Sequence, residues 1–249
     1  PYNSPEGLAF MERLMQFVNY HSKLESIELA KERGPMLYND KSFYTKGKLP
    51  FAGYYDRKGW DFDWDAVSTN LQKYGSRNGF TIVIAPTGSI SMICGTSSGI
   101  EPVYSLVFEK NVKVGSFFYV DPVFEKVMKR EGLHDEKLMQ DVNLNGGRIQ
   151  KIAYIPPQIK KTFVTAMDIS PEDHIRALAV FQKWVDSSIS KTNNFPANAT
   201  LEDMRKSFIL AYKLGCKDVT VFRDTSIKDQ VLVAPKSEQA TVEQYAEKG

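Results

Sequence analysis

The run Thr81-Ile82-Val83-Ile84-Ala85 constrains the fold more than any other stretch of the chain. It is short, uncharged and rich in β-branched residues, and it stops at Pro86, which has no N–H to extend a ladder. Such a run reads as a strand buried on both faces, the kind found in parallel sheets. Parallel neighbours need long crossovers, usually helices, so an α/β fold is expected.

Helix signals alternate with the strand signals. Ser4, Pro5 and Glu6 suit an N-cap, a first position and a first turn, and apolar residues then recur from Leu8 to Leu29, predicting a helix over 6–33 that stops at Gly34-Pro35. The next stretch, Phe43 to Trp60, reads as irregular. Asp63 is placed to cap a helix over 64–74, and Asp121-Pro122 opens another to about Lys129. Asn145-Gly146-Gly147 is a turn. A short helix is expected over 156–165 and a longer one from Ser170-Pro171 to about Asp186. Thr200 caps a helix over 201–214 that ends at Gly215. Further strands are expected at 104–108, 189–191 and 219–222. Residues 1–234 read as one incomplete domain and 235–249 as a disordered polar tail. About four strands would leave sheet edges and faces uncovered. The chain also begins with Pro1, so it is expected to be part of a larger domain.

Composition excludes several classes. The formal net charge is +2 and no apolar run approaches the ~20 residues of a membrane span, so neither nucleic acid nor membrane is expected as a partner. Two cysteines, Cys94 and Cys216, make no disulfide framework and fit a cytoplasmic location. Each reads as a buried packing residue, with a redox pair as the alternative. His21, His134 and His174 show no ligand spacing, so no metal is expected on this chain, and His174, in a first helical turn, is expected to face solvent. Trp60 and Trp64 read as core or interface aromatics.

The segment after the first strand, "IAPTGSISMICGTSSGIEP", is almost free of charge. It lies where α/β folds bind ligands, beyond the carboxyl end of a strand. Gly88 permits close backbone approach, Thr87, Ser89 and Ser91 supply hydroxyls, and a helix beginning at Gly88 would present unpaired N–H groups. Together they form a neutral anion cradle suited to phosphate; a capped turn is the competing reading. Neither the Walker A pattern nor Gly-x-Gly-x-x-Gly is present.

That segment resembles the substrate-phosphate loop of ribonucleotide reductase large subunits, most closely the adenosylcobalamin-dependent class. "YHSKLESIELAKERGP" at 20–35, "DISPEDHIRALAVFQKWVDSSISKTNNFP" at 168–196 and "AYKLGCKDVTVFRD" at 211–224 follow in the family's order. The resemblance implies the second half of a ten-stranded α/β barrel, in an enzyme that reduces ribonucleotides to 2′-deoxyribonucleotides through a thiyl radical. It implies adenosylcobalamin as cofactor, a ribonucleotide substrate, the rest of the reductase chain, a thioredoxin-like reductant and a possible homodimer. Pro86, Thr87, Gly88, Ser89, Ile90 and Ser91 would bind the substrate phosphates, with Glu101, Lys191 and Asn193 as supporting residues. The family's finger-loop cysteine motif is absent from this chain, which by itself is expected to be inactive. Reductases that import their radical from a second subunit carry a tyrosine pair where Thr220 and Val221 stand here, which favours the cobalamin class over a diiron partner. The alternatives are a diiron-partner large subunit, an unrelated phosphate-cup enzyme using Lys191 as a Schiff base with pyridoxal phosphate, and a non-catalytic nucleotide-binding module.

Overall fold

The computed structural model describes residues 1–112 and 115–226. The expected tail at 235–249 lies outside the described residues.

Helix α1 runs Pro5–Arg33, with the Ser4 side chain accepting the Gly7 N–H as its N-cap. Its buried stripe mixes Met15, Ile27 and Ala30 with Gln16, Asn19, Lys23 and Ser26. Each of these polar groups has a distant partner. Gln16 Oε1 accepts the Asp61 N–H at 2.7 Å, Asn19 Nδ2 donates to Trp184 O at 2.6 Å, and Ser26 Oγ meets Ser76 Oγ at 2.9 Å. Four 3-10 turns between Asn39 and Gly59 then carry Tyr44 and Phe51 inward. Gly53 lies against the Trp184 indole, where an added Cβ would come within 2.7 Å. Helix α2, Trp64–Tyr74, is capped by Asp63, and Trp64 stacks on Trp184 with ring centroids 5.6 Å apart.

The parallel sheet is small. Ile84 forms a bridge with Ile189, and β3, Thr192–Phe195, pairs in parallel with β4, Thr220–Arg223. The segment 189–195 is thus central, flanked by residue 84 on one side and β4 on the other. Helices α7, Pro171–Gln182, and α8, Leu201–Lys213, lead into β3 and β4 respectively and pack on each other. One apolar core joins α1, α2, α7 and Ala211 of α8. A second is built between the hairpin β1, Val107–Val112, and β2, Gly115–Val120, and helices α4, Pro122–Arg130, α5, Glu136–Leu144, and α6, Pro157–Thr162. Helix α3, Gly88–Cys94, lies in the loop that follows the Ile84 bridge.

Several sequence expectations need correction. The segment 81–85 forms no strand of its own, only the single bridge at Ile84, and it is not buried on both faces: Ile82 and Ile84 pack on the first core, while Val83 is 63% exposed because no described element covers that side. The strand expected at 104–108 begins at Val107, and its hairpin partner went unread. The strand expected at 189–191 has its ladder at 192–195, with only Ile189 bridging before it. Helix α7 stops at Gln182 rather than Asp186. The Lys183 carbonyl is taken by the Gly53 N–H at 2.8 Å, and Gln182 Nε2 donates to the Val185 and Ser187 carbonyls. Helix α5 was not anticipated, although its Asp135 cap precedes Leu138, Met139 and Val142 at helical spacing. Cys94 is exposed and Cys216 half-buried, so neither is the fully buried filler expected. Cys216 packs beside the first core, and burial pushes its thiol up to about 11.

Asp186 joins these parts. Its Oδ2 accepts from the Lys23 ammonium and, at 2.7 Å, from the Thr81 N–H; its Oδ1 accepts from Asn19 Nδ2 at 3.2 Å. Lys23 Nζ also donates to Thr81 Oγ1 at 2.7 Å. Both side chains of the ion pair are fully buried. A charge so placed is costly once its partner is gone. Lys23→Met is expected to lower unfolding free energy by about 3–5 kcal/mol in urea titrations, and the Lys23→Met/Asp186→Leu double variant to recover much of that loss. A double variant no more stable than Lys23→Met would show that the unpaired carboxylate is not the source of the loss.

Candidate functional site

The loop from Pro86 to Glu101 leaves the sheet and returns to it. Before it departs, the Ile84 carbonyl accepts the Ser190 N–H at 2.9 Å. Thr87 then adopts φ 52°, a conformation that is an outlier for a β-branched residue. Its hydroxyl oxygen accepts the Gly99 N–H at 2.8 Å, and Ser98 Oγ donates to the Pro86 carbonyl. These bonds close the loop at its neck and hold Thr87 in place. Gly99 has φ 50°, and a Cβ there would press to 3.1 Å on the Ala85 carbonyl, so glycine is needed at this crossing.

Above the neck, α3 starts at Gly88 with Thr87 as the preceding residue. The Ser91 N–H closes the first turn on the Thr87 carbonyl at 2.9 Å. By helix geometry the N–H groups of Gly88, Ser89 and Ile90 have no carbonyl one turn back. Ser89 and Ile90 are exposed, and Gly88 has open space where a Cβ would stand. The hydroxyls divide differently from the sequence reading. Ser91 is buried and donates to the Gly88 carbonyl at 3.1 Å, and the half-buried Thr87 uses its hydroxyl oxygen as an acceptor at the neck. Of the three hydroxyls, Ser89 is the exposed one. The correction has a simple cause: a tight loop satisfies its own backbone first.

The loop's far end is tied to the same central segment as its start. Glu101 Oε1 accepts the Thr192 N–H at 2.5 Å, and Glu101 Oε2 accepts from Lys191 Nζ at 2.8 Å. Tyr2 Oη adds a bond to the Ile100 carbonyl at 2.7 Å; burial, and to a lesser degree Glu101, pushes its phenol well above the usual range. Lys191 is only 2% exposed. Its nitrogen is shared among Glu101 Oε2, His174 Nδ1 at 2.9 Å and the Thr192 carbonyl. Three acceptors need three N–H donors, so Lys191 is an ammonium with no donor left over. Burial pulls its proton affinity down, and Glu101 opposes that pull. The Schiff-base reading therefore loses its lysine.

His174 does not face solvent, as its place in a first helical turn had suggested: it is fully buried. Its Nδ1 must accept from Lys191, which leaves the proton on Nε2 to donate to the Ala166 carbonyl at 2.9 Å. Burial, then the neighbouring Lys191 charge, lowers its pKa to about 4. Asn193, expected as a supporting residue, is enclosed in the sheet. It lies within β3, 1% exposed, and neither of its amide atoms finds a hydrogen-bond partner. By the two-residue period of a strand it shares the helix-covered face with Lys191 and Phe195. Among the described residues no cluster of His, Cys, Asp and Glu is placed to hold a metal, and no helix is long and apolar enough to cross a membrane.

The His174 environment makes a pH prediction. The unfolded imidazole takes up a proton near 6.5, whereas the folded one resists until about 4. The stability this confers is complete above pH 6.5 and drains away as pH falls through that window, by roughly 3 kcal/mol in all. Urea midpoints measured from pH 7 to pH 4 should fall more steeply for the parent than for His174→Gln, and parallel curves would contradict the assignment.

Comparison with known proteins identifies the family. A family model described as ribonucleotide reductase, barrel domain, matches residues 1–222. The chain is 37% identical to a vitamin B12-dependent ribonucleoside-diphosphate reductase of Thermoplasma acidophilum, an alignment covering 96% of this chain and 28% of that protein. It is 30% identical to the reductase of the same name from Mycobacterium tuberculosis, over 95% of this chain and 30% of that one. The chain thus spans under a third of the length of these relatives. The class Id ribonucleotide reductase α subunit of Actinobacillus ureae shares its fold, with TM-score 0.67 at 22% identity, covering 90% of this chain and 35% of that one. With an α/β core, a neutral loop at a strand end and a family match along nearly its whole described length, the chain belongs to the ribonucleotide reductase family, as part of its barrel domain.

Proposed function

We propose that this chain is the substrate-phosphate half of the catalytic barrel in an adenosylcobalamin-dependent ribonucleotide reductase. The complete enzyme would reduce ribonucleoside diphosphates to 2′-deoxyribonucleotides by a thiyl-radical route, with the thiyl cysteine supplied from outside this chain. The observation that carries the loop assignment is the set of open N–H groups at Gly88, Ser89 and Ile90, joined by the exposed Ser89 hydroxyl. No charged side chain lies between Pro86 and Ile100, so a phosphate would be held by neutral donors. That suits a site which must keep water from a radical. The strained Thr87 is consistent with a loop preset for a ligand.

Adenosylcobalamin would supply the initiating radical. Its assignment rests on the names of the two reductases above and on Thr220 and Val221 standing in place of an aromatic relay. The described residues offer no seat that identifies a corrin. The diiron-partner reading keeps some support, since relatives named as subunit α, such as that of Chlamydia pneumoniae at 32% identity, also align. A thioredoxin-like reductant and a homodimeric assembly belong to the same proposal, as does a cytoplasmic location.

Two measurements test it. In the complete protein, Ser89→Ala is expected to raise the KM for a ribonucleoside diphosphate by about tenfold or more, since a hydrogen bond to a charged group contributes ~1.5–3 kcal/mol. Gly88→Val should do at least as much by blocking backbone approach, and the open space at Gly88 leaves the fold undisturbed. Unchanged KM in both variants would remove the phosphate role. For the cofactor, turnover is expected with adenosylcobalamin and a dithiol reductant but no partner subunit, and turnover that needs a metal-containing partner subunit instead would favour the diiron reading.

A further inference from the structure

The excursion from Pro86 to Glu101 is pinned at both ends to four consecutive residues, Ile189 to Thr192. Ile84 bridges Ile189 and bonds Ser190 before the loop leaves, and Glu101 engages Lys191 and Thr192 where it comes back. The first attachment is ordinary sheet pairing. The second is made by side chains and depends on a buried cation. We infer that Lys191 is the positioning residue of the phosphate loop: clasped by His174 on α7, its ammonium holds Glu101 to the central strand and so sets where the Gly88–Ile90 amides stand. This inference rests on the phosphate reading of that loop.

The geometry assigns each partner a separate task. Lys191 cannot itself contact a phosphate, because it is 2% exposed and its three N–H groups are committed to Glu101, His174 and the Thr192 carbonyl. Its influence on substrate must pass through Glu101. Glu101 uses one oxygen for the Lys191 ammonium and the other for the Thr192 N–H, a two-point grip that fixes both the position and the rotation of the carboxylate. His174 supplies a neutral acceptor, with its ring held from behind by the Ala166 carbonyl. The grip is transmitted to the amides through a short path. Ser98 and Gly99, three and two residues before Glu101, make the neck bonds to Pro86 and Thr87, and Thr87 directly precedes the amides. A shift of Glu101 therefore moves the neck on which the first turn of α3 is built.

A positioning role predicts a particular kinetic pattern. Loosening the loop weakens the hold on the phosphate equally in the ground and transition states, which raises KM and leaves kcat alone. In the complete enzyme, Lys191→Met should raise the KM for a ribonucleoside diphosphate by about tenfold or more, with kcat within about twofold of the parent. The Lys191→Met/Glu101→Gln double variant removes both charges but keeps an acceptor for the Thr192 N–H, and should recover most of the lost KM. If Lys191→Met does not fold, Glu101→Gln alone preserves shape and is expected to raise KM severalfold. Melting temperatures measured alongside separate loop placement from stability, since a merely structural residue would lower the melting temperature without changing KM. Gly88→Val serves as the reference. If it raises KM and the Lys191 and Glu101 variants do not, the clamp is wrong and the phosphate loop stands. If neither it nor they raise KM, the phosphate reading fails and takes the clamp with it. A fall in kcat at unchanged KM would also overturn the inference, since it would assign Lys191 to the chemical step.

Discussion

The buried carboxylate of Asp186 is the interaction on which the arrangement depends. It collects the Lys23 ammonium from α1, the Thr81 backbone three residues before the Ile84 bridge and the Asn19 amide one helical turn from Lys23. Its own backbone carbonyl accepts from Lys217, which also reaches the Pro50 carbonyl. Elements far apart in sequence are thus fixed at one point. Apolar burial supplies most of the driving force for folding, but it is non-directional and tolerates sliding. A buried ion pair with several hydrogen bonds does not, because any misplacement leaves a charge unpaired in a poor solvent for it. We read the Asp186 cluster as a device for register more than for net stability.

A second buried lysine repeats this logic nearer the candidate site. Lys191 is as dehydrated as Lys23, and it too is held by a carboxylate from a distant segment. The difference lies in what the carboxylate is attached to. Asp186 belongs to the chain between α7 and the central strand, whereas Glu101 ends a loop. Two buried cations therefore act near the start of one central segment, Lys23 through Asp186 just before it and Lys191 within it, one locating the sheet against α1 and the other locating the loop against the sheet. Between them the loop is closed at its neck by the Thr87 and Ser98 hydroxyls, Thr87 as acceptor and Ser98 as donor.

Much of the local structure was legible from residues alone. Ser4, Asp63, Asp121, Ser170 and Thr200 all cap the helices that they announce, because a cap is a contact between near neighbours. The strand ends were less legible: β3 begins after Lys191 and β1 after Leu106, since pairing is decided by a partner elsewhere in the chain. Burial was least legible. His174 sits in a first turn beside Asp173, a context that suggests solvent, yet the 3-10 turn at Ala166–Asp168 and Lys191 enclose it. Cys94, read as filler, lies exposed on the loop helix.

The sequence by itself determined the alternation of helices and strands, the neutral loop at a strand end and, through several long motifs in order, the family. These depend on caps, breakers and periodicities that operate over a few residues. Only the tertiary structure decided which polar groups are buried against one another: Lys23 with Asp186, and Lys191 with Glu101 and His174. Such pairs span 163, 90 and 17 residues of chain. No local propensity brings them together, and each pair exists only because the fold sets its partners in contact, where a buried charge without its partner would be costly.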